Sequence, residues 1–367
     1  MEITPAKIVL EFQKYPTFHP FRLISDLYYD NEGQIKEIKP DNVWAINTIN
    51  AIISPLINLA RYSKTAYEDM IHSKLKAKDK NNFNRHNLIS AYCELSLMNT
   101  FLCRSTNPDS FVYEDRCRTD AKRNVEFSIK MDRFIFHVEV KTSNLMDEDR
   151  RIVEKLKETE RVLVLDARHK DYQAIVNKAK KINLPLIGSL DRRIDDFLSS
   201  ANEKFAQTTS EYEVNLLVIC WDDRIQQPLM ALKSCEAEGL LTSYSYKKAE
   251  DGSLQQYPNI DCILVNSNYS LFKDYINFVL YEQTNLYNIV NPFFQVFTNN
   301  YLIDHNLTAD RIAIINSIIQ QKTEIVDEIY ASTLPPVSIA FMKEPESNII
   351  SFRHINIEDC LGQIEEL

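Results

Sequence analysis

Two adjacent runs of alternating apolar and polar residues constrain this chain more than any other feature. In the first, Val125, Phe127, Ile129 and Met131 share one parity, while Asn124, Glu126, Ser128 and Lys130 share the other. Asp132-Arg133 then turns the chain. In the second run Phe134, Phe136, Val138 and Val140 face one way, and Ile135, His137, Glu139, Lys141 and Ser143 face the other. Side chains alternate between the faces of a β-strand, so each run reads as a strand with one apolar face, and the short turn joins them as a hairpin. Glu139 and Lys141 then become neighbours on one face, about 7 Å apart along the strand. Pairing of the two strands brings Glu126 toward Glu139.

What the chain lacks narrows its chemistry. There are only five glycines, at Gly33, Gly188, Gly239, Gly252 and Gly362, and no two are close. Loops that cradle phosphate need closely spaced glycines so that backbone amides can approach the ligand, which excludes a P-loop, a dinucleotide-binding turn and a kinase glycine loop. Gly-x-Ser-x-Gly and His-Glu-x-x-His are absent as well. Seven scattered cysteines without a Cys-x-x-Cys spacing read as reduced core residues rather than a disulfide framework or a zinc ribbon. No run approaches the roughly 18 consecutive apolar residues of a membrane span. Met1 to Pro5 show no basic start leading into an apolar run, so a cytoplasmic protein without a membrane partner is expected. A net charge of −10 argues against a general nucleic-acid coat. It still allows an enzyme that positions nucleic acid with a local basic patch and a bound metal.

Along the chain, Asp41-Asn42 caps a helix running to Leu59 through Pro55, and a polar, lysine-rich stretch from Ser73 to Arg85 reads as a solvated loop or helix end. Leu88, Ala91, Tyr92, Leu95, Met98 and Leu102 have helical spacing, with Glu94 beside that stripe. Asn107-Pro108-Asp109 reads as a turn. After the hairpin, strands are expected at Arg161–Ala167, Val214–Trp221, Ile260–Val265 and Val337–Met342, and helices at Leu190–Phe205, 270–282 and 308–330. The aromatics Tyr269, Phe272, Tyr275, Phe278 and Tyr281 recur every third residue, a pattern of core or interface packing more than of base stacking. The expected class is α/β, a mixed sheet flanked by helices. Residues 1–84 form an N-terminal mostly helical extension, 85–230 the core, and 231–367 a C-terminal accessory α+β region that could serve a homodimer.

Phosphodiester hydrolysis needs an activated water and stabilisation of charge on the phosphate, which converging carboxylates around Mg²⁺ and a nearby lysine supply. Over roughly residues 85–222 the chain resembles the PD-(D/E)XK, restriction-endonuclease-like, nuclease superfamily. The resemblance is carried by Glu94 in Ala91-Tyr92-Cys93-Glu94-Leu95, by Glu126 in Asn124-Val125-Glu126-Phe127, and by Val138-Glu139-Val140-Lys141-Thr142. The helix Leu190–Phe205 leading into the apolar strand Val214–Cys220 completes it.

It implies a restriction-endonuclease-like sheet and a Mg²⁺ ion, with Mn²⁺ as a substitute, held by Glu126, Glu139 and the Val140 carbonyl. Glu94 assists through water, and Lys141 orients the attacking water or stabilises the transition state. DNA is the implied substrate, in restriction, defence or repair. The family usually places an aspartate after proline where this chain has Val125-Glu126, and Asp120 is the rival for that position. Arg116, Arg118, Lys122 and Arg123 either track DNA phosphates or solvate a loop. His137 reads as a packing or hydrogen-bonding residue rather than a ligand. The alternative to an active enzyme is a catalytically inactive nuclease fold that binds nucleic acid or another protein.

Overall fold

The structure is a computed structural model. It describes residues 3–37, 43–79, 82–117, 124–144, 151–156, 158, 161–165, 172–188, 191–208, 210–222, 224–233, 239–245, 247–281, 301–304, 308–319, 324–326, 337–343 and 350–356. In chain order the helices are α1 (Pro5–Phe12), α2 (Pro20–Tyr28), α3 (Val43–Tyr62), α4 (Lys64–Asp69), α5 (Arg85–Arg104), α6 (Tyr172–Lys181), α7 (Asp191–Lys204), α8 (Gln226–Lys233), α9 (Asn268–Tyr281) and α10 (Ala309–Ile319). The strands are β1 (Lys78–Asp79), β2 (Asn82–Phe83), β3 (Asn107–Tyr113), β4 (Phe127–Met131), β5 (Phe134–Thr142), β6 (Arg161–Leu165), β7 (Leu186–Gly188), β8 (Glu213–Cys220), β9 (Cys262–Asn266), β10 (Tyr301–Asp304), β11 (Glu324–Val326), β12 (Val337–Lys343) and β13 (Ile350–Asn356).

The chain packs as two compact units, each assembled from separated stretches. The first comprises Met1–Thr142, Ala201–Asp223 and Pro258–Ile325, and the second Ser143–Ser200, Arg224–Tyr257 and Val326–Leu367. The boundaries expected from the sequence fall near residues 84 and 230.

In the first unit a mixed sheet has the strand order β11-β10-β9-β8-β5-β4-β3 among the described residues. β3, β4 and β5 form an antiparallel meander, and β5 then runs parallel to β8 and β8 parallel to β9. The interior strands β8 and β9 are buried almost throughout. Strands covered on both faces show such continuous apolar runs instead of alternation. Helix α5 packs on the sheet through Phe101, whose ring meets Phe127 and Phe136 edge-on at 5.4 and 5.5 Å.

The expected apolar stripe of α5 is buried, and so are Ile89, Cys93, Ser96, Leu97, Asn99 and Thr100. This helix is enclosed on more than one side, and Glu94 stays only partly buried on it. Asn84 caps the helix by accepting from the Asn87 amide at 3.2 Å. Asn84→Ala should therefore cost about 1 kcal/mol in a urea titration, and an unchanged midpoint would show the cap to be idle.

Three local expectations are corrected. Asn107-Pro108-Asp109 opens β3 instead of a turn. A proline is tolerated there because β3 is the outermost strand, and the register slips between Asn107 and Val112. The helix expected over 308–330 ends at Ile319, and Glu324–Val326 is a strand. The lysine-rich stretch Ser73–Arg85 is not simply a solvated loop: it begins inside a π-helix, Met70–Lys74, and continues through the β1–β2 hairpin. Helix α3 runs through Pro55, and Tyr269, Phe272 and Tyr275 are core residues, with Tyr92 packed on the last two.

The second unit holds a sheet of order β13-β12-β6-β7. The strands expected at Arg161 and at Val337 pair with each other, Ile339 opposite Val164. Inside this unit Asp195 is buried and accepts from Tyr257 Oη at 2.9 Å and Lys247 Nζ at 2.5 Å.

Candidate functional site

The β4–β5 hairpin sets the geometry. Phe127 lies opposite Val138 and Ser128 opposite His137, so one further step of the same register places Glu126 opposite Glu139 at the end of β4. Directly opposed residues have Cβ atoms about 5 Å apart. Glu139 is completely buried. Its Oε1 receives Lys141 Nζ at 2.7 Å and Lys204 Nζ at 2.6 Å. Its Oε2 is buried with no hydrogen-bond partner. An unpaired buried carboxylate oxygen is costly, and such exceptions point to a role other than packing.

A second pair of carboxylates meets at Lys74. Its Nζ lies 2.5 Å from Glu94 Oε2 and 3.1 Å from Glu126 Oε2. The π-helix brings Lys74 there: the Leu75 amide bonds back to the Met70 carbonyl at 2.8 Å, a wider turn than the α-helical one. Asp69 anchors this turn by accepting from Tyr113 Oη at 2.5 Å, and the Lys74 ammonium lies 5.6 Å from the centre of the Tyr113 ring. Ser90 on α5 and Thr142 at the end of β5 share a 2.5 Å hydrogen bond, which ties the helix to the strand beside Lys141.

Charge couples these groups. Burial, reinforced by the negative charge of Glu126 and more weakly of Glu139, raises the Glu94 carboxyl from 4.5 to about 7 even though Lys74 opposes the shift. Burial alone would lower the Lys74 pKa, but Glu94 and Glu126 outweigh it and hold the ammonium well above the usual lysine range. Glu94 therefore feels the charge of both Glu126 and Glu139, and Lys74, Lys141 and Lys204 lie against the three carboxylates. The donor set is all oxygen, which suits a hard divalent cation, and the unpartnered Glu139 Oε2 is the atom such an ion would satisfy.

The raised Glu94 pKa has a defined sign. The folded state holds that proton more tightly than the unfolded chain, so its stabilisation is complete below about 4.5 and is lost as pH rises through about 7. Relative to Glu94→Gln, the metal-free wild type should lose stability across that window. Parallel pH profiles of the two proteins in chelator would remove the assignment.

Of the residues expected from the sequence, the structure brings together Glu94, Glu126, Glu139 and Lys141, and Val140 sits between the last two with a buried side chain. Arg116 is exposed. Asp120, Arg118, Lys122 and Arg123 lie outside the described residues. The sequence reading missed Lys74 and Lys204. Lys204 follows Ala201 by three positions on the flank of an apolar helix stripe, a weak but readable sign that it points inward. Lys74 sits in a lysine-rich stretch, and no periodicity separates it from its neighbours.

His137 does hydrogen-bond, with Ser128 Oγ at 2.6 Å from its Nδ1. Burial would lower its pKa, but Asp115 and Cys117 outweigh that and raise it to about 9. No helix among the described residues is long and apolar enough to cross a membrane. Comparison with protein-family models, curated proteins and solved structures finds no match.

Proposed function

We propose that the first unit is a metal-dependent nuclease core of the restriction-endonuclease-like type, hydrolysing DNA phosphodiester bonds. Support comes from α5, the antiparallel meander β3-β4-β5 and the strand β8 parallel to β5, which share this unit, with β6, α6, β7 and most of α7 falling between β5 and β8 in the sequence and in the second unit. The acids fall on α5, immediately before β4 and on β5. Glu126, Glu139 and the Val140 carbonyl would hold Mg²⁺ or Mn²⁺, with Glu94 contributing through water. The ion would supply positive charge to the phosphate and lower the pKa of a bound water. Lys141, fixed against Glu139, orients that water or stabilises the charge that develops on phosphate.

The observation that carries this reading is Glu139, a fully buried carboxylate with one oxygen held by two lysines and the other unpartnered. The direct test is cleavage of circular duplex DNA in Mg²⁺, in Mn²⁺ and in chelator, by the wild type and by Lys141→Met. Metal-dependent cleavage that falls by on the order of 10²-fold or more in the variant is expected. Cleavage indifferent to both metal and Lys141 would sink the assignment.

One observation favours a second reading, a nuclease fold that binds nucleic acid or protein without cutting. Three ammonium groups already balance the three carboxylates, so the charge of the cluster is met without a metal ion. Salt-sensitive DNA binding without turnover in either metal would select this reading.

A further inference from the structure

On the polar face of β5, two residues before Glu139, a different set of donors converges. Asp115, Cys117 and His137 each offer one ligand atom, and these atoms lie within 4.8 Å of one another. Cys117 Sγ is 3.3 Å from His137 Nδ1, His137 Nδ1 is 3.6 Å from Asp115 Oδ2, and Cys117 Sγ is 3.9 Å from the same Oδ2. Zinc bonds to sulfur at about 2.3 Å and to nitrogen or oxygen at about 2.0–2.2 Å, so ligand atoms on one face of a zinc tetrahedron stand about 3.3–3.6 Å apart. The observed triangle already has those edges to within a few tenths of an ångström.

The backbone is bent to make this triangle. Val112 pairs with Ser128, and Ser128 with His137, so unbroken alternation beyond Val112 would give Glu114 and Arg116 the row of His137. Past Tyr113 it is the odd-numbered Asp115 and Cys117 that reach the imidazole. The alternation slips at Glu114, which takes a left-handed conformation (φ 48°) although it is not glycine. Hydrogen bonds from Glu114 N to Glu126 O (2.9 Å) and from Val125 N to Asp115 O (3.0 Å) keep the ladder closed through the slip. A non-glycine residue is strained there and persists only where the surroundings impose the conformation.

We infer that Asp115, Cys117 and His137 form a second metal site, for a borderline-soft divalent cation of the Zn²⁺ class, separate from the carboxylate cluster. Mixed sulfur, nitrogen and oxygen donors suit Zn²⁺ or Co²⁺ and not Mg²⁺, which takes oxygen alone. Three protein ligands leave the fourth position to water. The ion uses the Nδ1 lone pair, so Ser128 gives up its present bond to that atom and remains beside the site as a hydroxyl. An ion here fastens β5, immediately before Glu139, to the residues that follow β3.

The test uses the full chain, reduced and stripped with chelator, titrated with Co²⁺ while thiolate-to-cobalt charge-transfer absorption is followed. One equivalent should saturate the band in the wild type, and Zn²⁺ should erase it by displacing Co²⁺. Cys117→Ser should lose the band, while Glu139→Gln keeps it, which separates this site from the nuclease reading. Asp115→Asn leaves the thiol in place and should weaken Co²⁺ binding, so the idea stays testable should Cys117→Ser fold poorly. No band in the wild type, a band that survives Cys117→Ser, or binding unaltered by Asp115→Asn would overturn the site.

Discussion

Glu139→Gln is expected to reduce Mg²⁺-dependent DNA cleavage by on the order of 10³-fold, the upper range for removing one preorganised charged contact from a reacting centre. The side chain keeps its shape but loses the charge that would hold the ion. A second effect accompanies the first. Lys141 and Lys204 both sit within 2.7 Å of Glu139 Oε1, and the substitution leaves two ammonium groups facing a neutral amide. Breaking a buried ion pair on one side costs about 3–5 kcal/mol, so the variant should also melt earlier. The two effects separate in Glu139→Gln/Lys204→Met, which removes the surplus positive charge and should recover most of the stability and none of the cleavage. Recovery of cleavage in the double variant would show that Glu139 acts on folding alone.

The second large effect is expected at Lys74. With Lys74→Met the carboxylates of Glu94 and Glu126 lose their shared counter-ion. The metal-free protein should lose about 1–3 kcal/mol, between the values for exposed and for fully buried pairs, with a greater loss at pH 8 than at pH 6. The sign follows from Glu94, whose carboxyl titrates near 7 with Lys74 present and higher without it: below that range a proton relieves the repulsion, and above it none does. A divalent cation bound there would replace the missing charge. Millimolar Mn²⁺ should therefore raise the melting temperature of Lys74→Met more than that of the wild type. An equal rise in the two proteins would mean that Glu94 and Glu126 do not share the ion.

Several parts of this arrangement were legible in the sequence because local rules govern them. Alternation in Phe134–Ser143 put Glu139 and Lys141 on one face, and the short turn at Asp132-Arg133 set a register that carries Glu126 to the level of Glu139. Glu94 was recognisable as a carboxylate flanking a buried helix stripe. What stayed hidden depends on contacts between distant segments. Lys74 reaches Glu94 across 20 residues and Glu126 across 52, through a π-turn that no apolar pattern announces. The pairing of β12 with β6 joins stretches more than 170 residues apart, and periodicity is blind to such partners. The Asp115–Cys117–His137 cluster escaped notice for a third reason. It needs a left-handed residue at Glu114, and glutamate gives no hint of that conformation.

The carboxylate cluster as a cation site is the central claim, and anomalous scattering from a crystal grown in Mn²⁺ tests it most directly. A manganese peak is expected between the Glu126 and Glu139 carboxylates and the Val140 carbonyl, with Lys74 withdrawn from at least one of its two partners. Lysine–carboxylate pairs left intact at saturating Mn²⁺, with no peak among these oxygens, would contradict it.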